Sequence, residues 1–150
     1  MLTHEIISAH PDVRGNTNDA LIRCIDLCFD CAEACTSCAD ACLAEDSVED
    51  LVQCIRINLD CADLCLTAAK VASRRAGSNG EVIRQMLRAC ETACSLCAEE
   101  CHAHANHMEH CRICADACSA CAEGCGDAIE SMGGRRGSGD GKGLDGRERH

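Results

Sequence analysis

The sequence predicts an all-α protein, an antiparallel up-down four-helix bundle preceded by a short N-terminal arm. Cysteines recur at steps of four and three residues over residues 24–42, 90–101 and 111–125. Such steps keep side chains on one face of an α-helix. Four long helical stretches joined by short links favour antiparallel neighbours. The sequence therefore predicts a bundle whose interior is lined with sulfur.

The elements follow in order from local signals. Residues 1–15 are predicted to form the arm, with a short helix over 3–9 that ends before Pro11, the only proline. The bundle is expected over 16–132. Residues 133–150 are rich in glycine and charge and are expected to form a flexible tail.

Helix boundaries within the bundle are indicated by capping residues. The first long helix is expected to begin near Thr17 or Asn18 and to end near residue 44. Ser47, followed by Asp50, predicts an N-cap for the second helix, which runs to about residue 74. After a loop at 75–80, the third and fourth helices are expected over about 81–106 and 108–132.

The inward positions of these helices would normally hold Leu, Ile or Val. Here they hold thiols, and most aliphatic residues fall on flanking faces, where they pack beside the thiols or against other subunits. The unit C-A-[D/E]-x-C occurs six times and places two thiols inward and one acid outward. The 18 predicted inward cysteines are Cys24, Cys28, Cys31, Cys35, Cys38, Cys42, Cys54, Cys61, Cys65, Cys90, Cys94, Cys97, Cys101, Cys111, Cys114, Cys118, Cys121 and Cys125.

Charge and composition exclude several classes of protein. The net charge of −11 disfavours a nucleic-acid partner, which requires a basic surface. No apolar run approaches the roughly 20 residues of a membrane span. The N-terminus shows neither the basic region of an export signal nor a twin arginine. We therefore expect a cytoplasmic protein with reduced thiols.

So many thiols could form disulfides, hold zinc or iron–sulfur clusters, or bind Cu(I). Disulfides are disfavoured, because helical neighbours have Cβ atoms about 5–6 Å apart and a disulfide needs about 3.5–4.5 Å. Zinc and iron–sulfur sites usually lie on loops, and a zinc ion on four thiolates leaves excess negative charge to bury. Cu(I) is soft and singly charged, so one ion per bridging thiolate makes a neutral core.

That neutrality favours storage of many Cu(I) ions, on the order of 18 per chain by the bridging stoichiometry. No catalytic residue is indicated, and we do not expect an enzyme. A zinc- or cadmium-sequestering protein like metallothionein and an iron–sulfur protein remain the alternatives.

Other candidate ligands lie at one end of the predicted bundle. Extending the third-helix spacing past Cys101 reaches His104 and Met108, and His110 lies beside the first thiol of the fourth helix. Asn58 takes an inward position among the thiols, where it either lends an oxygen to copper or interrupts the sulfur line. His104 and His110 are the stronger candidates.

The opposite end of the bundle is expected to be closed by hydrocarbon. Its inward positions hold Leu21, Ala68, Ala72, Ile83, Leu87 and Ala128. The histidine-rich end is therefore the expected entrance for copper.

Inward CxxxC and CxxC ladders on four helices, with a histidine-bearing end, resemble the bacterial copper storage proteins over about residues 17–131. The resemblance implies a homotetramer that stores many Cu(I) ions in each subunit, with all 18 cysteines as ligands. An exported branch of that family has a twin-arginine signal and a methionine-rich mouth. This chain has neither and is similar to the cytosolic branch.

Overall fold

The computed structural model describes residues 2–133. It contains five α-helices and no strand in that range. The helices are α1 (Thr3–Ser8), α2 (Asp19–Leu43), α3 (Val52–Ser73), α4 (Gly80–His104) and α5 (Glu109–Ser131). The predicted tail, apart from Gly133, lies outside the described residues. The all-α prediction is confirmed.

The four long helices form a closed ring of neighbours. Helix α2 packs against α3 and α5, and α4 packs against the same two helices. The α2–α3 and α4–α5 connections lie at one end of the bundle, and the α3–α4 connection lies at the other. Each ladder of cysteines therefore faces a common axis.

The start of α2 is the one that the sequence predicts. Asn18 is its N-cap, and the side-chain oxygen accepts a hydrogen bond from the Leu21 backbone N–H at 3.1 Å. This bond satisfies one of the free donors of the first turn. Asn18 also donates from Nδ2 to Ser131 Oγ at 3.0 Å, which ties the beginning of α2 to the end of α5.

The start of α3 differs from the prediction. Ser47 makes no side-chain capping bond, and a 3-10 turn over Val48–Leu51 precedes the helix, so α3 begins at Val52. The turn directs Leu51 into the core, where only 1 % of its surface is exposed. Burial of this leucine outweighs a polar cap, which would add only about 1 kcal/mol.

The N-terminal arm is folded onto the bundle. The short helix expected over 3–9 is α1, and its Ile7 is buried together with Val13 of the following turn. The Thr3 hydroxyl donates to the Asp26 carboxylate of α2. The Asp12 carboxylate accepts from the Gly77 N–H at 3.4 Å. The arm is thus anchored to both α2 and the α3–α4 connection.

Within the described residues, the helices do not combine the length and apolar character that a membrane crossing requires.

Candidate metal centre

All 18 cysteines are free thiols, and all of them are buried inside the bundle. The inward orientation that the spacing predicts is therefore present on each long helix. Sulfur occupies the central positions, and alanine and scattered aliphatic side chains pack around it. The bundle is closed around a core of sulfur.

Neighbouring sulfurs are close enough to share a metal ion. Within a helix, the sulfurs of Cys61 and Cys65 lie 3.8 Å apart. Between helices, Cys65 and Cys94 lie 3.4 Å apart. These distances are far longer than the roughly 2.05 Å of a disulfide. Bonds of about 2.3 Å from one metal ion, the length of a zinc–thiolate bond, reach both sulfurs of such a pair.

The tertiary structure gathers these pairs into groups of four. In at least five such quartets all sulfurs lie within 4.8 Å of one another. Four quartets form a connected series through shared members. They are Cys28/Cys90/Cys121/Cys125, Cys31/Cys65/Cys94/Cys121, Cys31/Cys35/Cys61/Cys118 and Cys35/Cys97/Cys114/Cys118. Each of these quartets draws its ligands from three or four helices, so the residue spacing along one helix does not reveal them.

The fifth quartet, Cys38/Cys42/Cys54/Cys111, shares no member with these four. It lies at the end of the bundle where α2 ends and α5 begins. Sulfur contacts of 4.0 Å between Cys54 and Cys101 and of 3.9 Å between Cys101 and Cys97 join it to the other quartets, so the sulfur column continues to the histidine-rich end.

The ionisation of the thiols is governed by burial and by their mutual hydrogen bonds. Burial raises the pKa of the Cys111 thiol to about 12. A hydrogen bond with Cys101 raises the pKa of Cys54. A contact that stabilises the thiolate lowers the pKa instead. The bond with Cys125 lowers the pKa of Cys24 to about 5. The sulfurs therefore titrate as a coupled network.

His110 is the predicted histidine that reaches the thiols. Its Nδ1 lies 3.4 Å from the Cys38 sulfur and 3.6 Å from the Cys111 sulfur. Its Nε2 lies 3.4 Å from Oε1 of Glu45, in the α2–α3 connection. One ring nitrogen thus faces the sulfur core and the other faces a partly exposed carboxylate. No spacing in the sequence links Glu45 to His110.

A surface groove reaches the contact between His110 and Cys38. It has a volume of about 450 Å³ and lies outside α2 and α5, with Cys38 and His110 among its lining residues. The Asp30 and Glu33 carboxylates also line it. Negative charge beside a thiol and an imidazole is suited to attracting a cation.

The other two candidates at this end differ in position. Met108 Sδ lies 4.0 Å from the Cys111 sulfur, so this thioether borders the core. His104 Nε2 lies 3.4 Å from Oε1 of Glu100, one turn earlier on α4. The structure therefore brings Met108 and His110 to the thiols and leaves His104 facing a carboxylate.

Asn58 lies in the sulfur core and is fully buried. Its Oδ1 accepts a hydrogen bond from the Cys114 thiol at 2.9 Å, and its Nδ2 donates to the Cys54 carbonyl oxygen at 2.7 Å. The amide thus takes the place of a sulfur and bonds to the thiols around it.

The opposite end of the bundle is closed by hydrocarbon. The six residues that the sequence places there are all buried: Leu21, Ala68, Ala72, Ile83, Leu87 and Ala128. Arg84, which no sequence motif indicated, is also buried there. It donates to the Met132 carbonyl oxygen at the end of α5 and pairs with Glu81. Access to the sulfurs is therefore favoured at the histidine-rich end.

Comparison with known proteins gives consistent matches. A family model described as copper storage protein matches residues 17–130. The structure of the copper storage protein Ccsp from Streptomyces lividans, loaded with 10 copper equivalents, has a TM-score of 0.80 and 45% identity, covering 88% of this chain and 98% of that chain. A second structure shows copper loading to a cytosolic copper storage protein from Streptomyces lividans, with five coppers. It has a TM-score of 0.72 and 49% identity, and the match covers 77% of this chain and 94% of that chain. No curated protein matches the chain.

Proposed function

The chain belongs to the copper storage protein family, and from that premise we propose that it is a cytosolic store that holds many Cu(I) ions on the thiolates of its core. One observation carries the proposal. Eighteen buried, reduced sulfurs lie on one axis, with neighbours 3.4–4.0 Å apart. Copper is the cargo, and storage requires no catalytic step.

Charge favours Cu(I) over a divalent ion in this core. When each sulfur bridges two Cu(I) ions and each ion takes two sulfurs, one positive charge balances one thiolate. Zinc on a quartet of thiolates would instead leave two negative charges per site in a buried interior, which is costly. The shared members of the connected quartets favour bridging clusters, because one sulfur such as Cys121 belongs to two of them.

We propose all 18 cysteines as ligands, with His110 and Met108 as additional ligands at the open end. The contacts of His110 with Cys38 and Cys111 support its role. Met108 is supported by its position against Cys111. His104 and Asn58 are retained as candidates, since His104 would have to leave Glu100 and Asn58 would have to turn its oxygen to a copper ion.

The decisive experiment is an anaerobic titration of the reduced, full-length protein with Cu(I) against a competing chelator, with metal counted per chain. We expect uptake on the order of 18 ions per chain. A parallel titration with Zn²⁺ distinguishes separate tetrahedral sites, which fill at about one ion per quartet. Saturation by only a few Cu(I) ions would contradict the proposal.

A quartet deletion makes this test specific. Replacing Cys31, Cys35, Cys61 and Cys118 together by serine should remove about four copper equivalents, because the ratio approaches one ion per sulfur. The matched control neutralises exposed acids of α3 and α4 and should leave the capacity unchanged.

We also propose a homotetramer, as the family resemblance implies. Its support is an exposed apolar stripe on α3, formed by Val52, Leu59 and Leu66 at steps of seven residues, with exposed fractions of 67%, 48% and 44%. Apolar patches of this kind mark interfaces between proteins. In light scattering, Leu59→Asp with Leu66→Asp should give smaller particles. Leu43→Asp, at the exposed end of α2, is the control.

A further inference from the structure

The groove on the outside of α2 and α5 has an apolar floor. Ala34 and Ala117 line it together with Ile113, which keeps 51% of its surface exposed. An apolar side chain in a concave surface is stabilised when another apolar group covers it. A volume of about 450 Å³ is enough for a short segment of chain with one large side chain.

The rim of the groove carries negative charge. Asp30 and Glu33 both line it, both are exposed, and we call them the rim carboxylates. They stand three residues apart on α2, which places them on one face, about 5–6 Å from each other. Within residues 2–133 neither of them forms an ion pair. The groove thus combines an apolar floor with two carboxylates for which this part of the chain supplies no cation.

The groove also reaches the sulfur core. Cys38 is among its lining residues. Of the 18 cysteines, Cys38 is the one with measurable exposure, 1% against 0% for each of the others. A segment that covers the floor and the rim carboxylates therefore also covers the most accessible thiol.

The chain itself contains a segment that complements this surface. We call residues 134–150 the terminal segment. The whole chain has a formal charge of −11, and the terminal segment contributes +2, from five cationic and three acidic side chains, so residues 1–133 carry −13. Opposite charges of this size attract each other across a protein surface.

One stretch of the terminal segment matches the groove in detail. Leu144 is its only large apolar side chain, and Lys142 stands two residues earlier. In an extended chain, side chains two residues apart lie on the same side, and the next side chain, here that of Asp145, lies on the other. The stretch can therefore present one apolar group and one cation together while its acid faces solvent.

The terminal segment starts within reach of the groove. Helix α5 ends at Ser131, and Ile113 lies 18 residues earlier, about 27 Å along the helix. The eleven residues from Gly133 to Leu144 span up to about 36 Å when extended, which leaves about 9 Å for a turn. Gly133 has a φ of 82°, the left-handed conformation that ends helices and changes the direction of the chain.

We propose that the terminal segment docks in the groove of its own chain and shields the Cys38 thiol from reagents in solution. Leu144 covers Ile113, and the Lys142 ammonium meets the rim carboxylates. This inference goes beyond the proposed function, because the contact requires no copper. Since both partners belong to one chain, their effective concentration is on the order of 1 mM, so even a weak contact is populated.

Cross-linking of the metal-free, reduced, full-length protein tests the contact. A carbodiimide joins an amine to a carboxylate that touches it, and Lys70 and Lys142 are the only lysines of the chain. Peptide mass spectrometry should find Lys142 linked to the rim carboxylates. The yield should fall in 1 M NaCl, where the screening length is about 3 Å.

Variants at one position separate a specific contact from general attraction. Leu144→Ser should reduce the link by roughly three- to tenfold, because the apolar contact is lost. Leu144→Ile should retain it. The links that Lys70 forms on α3 should be the same in all three proteins, which makes them the internal control.

Alkylation of the metal-free protein by iodoacetamide measures the shielding. In Leu144→Ser the rate at Cys38 should rise at least about twofold, the change expected when the groove is occupied at least half of the time. The rate at Cys24, at the far end of the core, should stay the same. Leu96→Ser, at an exposed leucine of α4, is the matched control and should leave the Cys38 rate unchanged.

Three results would overturn the inference. The first is the absence of Lys142 links to the rim carboxylates, or links that fall equally on acids of α3 and α4. The second is a Cys38 rate that Leu144→Ser does not change. The third is a link between ¹⁴N- and ¹⁵N-labelled chains in a mixed sample, which would show that a second copy fills the groove. All of these measurements use metal-free protein, so their failure leaves copper storage standing.

Discussion

Loading this core with Cu(I) should release one proton for each ion that binds a protonated thiol. At pH 7 a thiol such as Cys111, whose pKa burial raises to about 12, carries its proton. A Cu(I) ion that binds it must displace that proton, so affinity for this ion falls about tenfold for each unit by which the pH is lowered. Cys24 has its pKa lowered to about 5 by Cys125 and should release none at pH 7.

The assay measures proton release and Cu(I) affinity on the same protein. Cu(I) is added anaerobically to the protein in weak buffer with a pH indicator, and chelator competition is repeated at pH 6.5 and 7.5. Cys111→Ala should lower proton release and copper capacity together. Cys24→Ala should lower capacity alone. Copper uptake without proton release, at unchanged affinity in the two buffers, would show that the core is already a set of thiolates and refute the reasoning.

Three further outcomes are expected. His110→Ala removes an imidazole 3.4 Å from Cys38 and should slow loading by roughly two- to tenfold in stopped-flow experiments, whereas His4→Ala on the arm should not. Leu87→Ala opens a cavity at the closed end and should lower the free energy of unfolding by about 2–5 kcal/mol in urea titration. Asn18→Ala removes the cap of α2 and should lower the free energy of unfolding by about 1 kcal/mol in the same assay. Far-UV circular dichroism of the metal-free protein should remain strongly helical.

The local sequence was sufficient for the helices and for the direction of the thiols. A step of four and three residues leaves little choice of face on an α-helix, so the burial of every cysteine could be predicted from spacing alone. The start of α2 near Asn18 could be predicted because a capping side chain and its partner lie only three residues apart on the same chain. Ser47 could not be judged in this way, since the turn that replaces its cap depends on a pocket for Leu51 formed by other helices.

Contacts between helices could not be predicted from residue spacing. His104 continues the thiol ladder and His110 does not, yet His110 reaches Cys38 because α5 begins beside the end of α2. Its second contact is with Glu45 in the α2–α3 connection, where no sequence motif indicated a functional residue. The interaction of Asn58 with Cys97 and Cys114 likewise requires α3, α4 and α5 to meet at one level.

By itself, the sequence determined that this protein is a helical bundle with reduced sulfur on its inner faces, because side-chain direction on a helix follows from residue spacing. Only the tertiary structure decided which sulfurs stand together and which histidine borders them. The physical reason is that the rotation and the axial offset of one helix against another are set by the packing of whole faces, and no single helix contains that information.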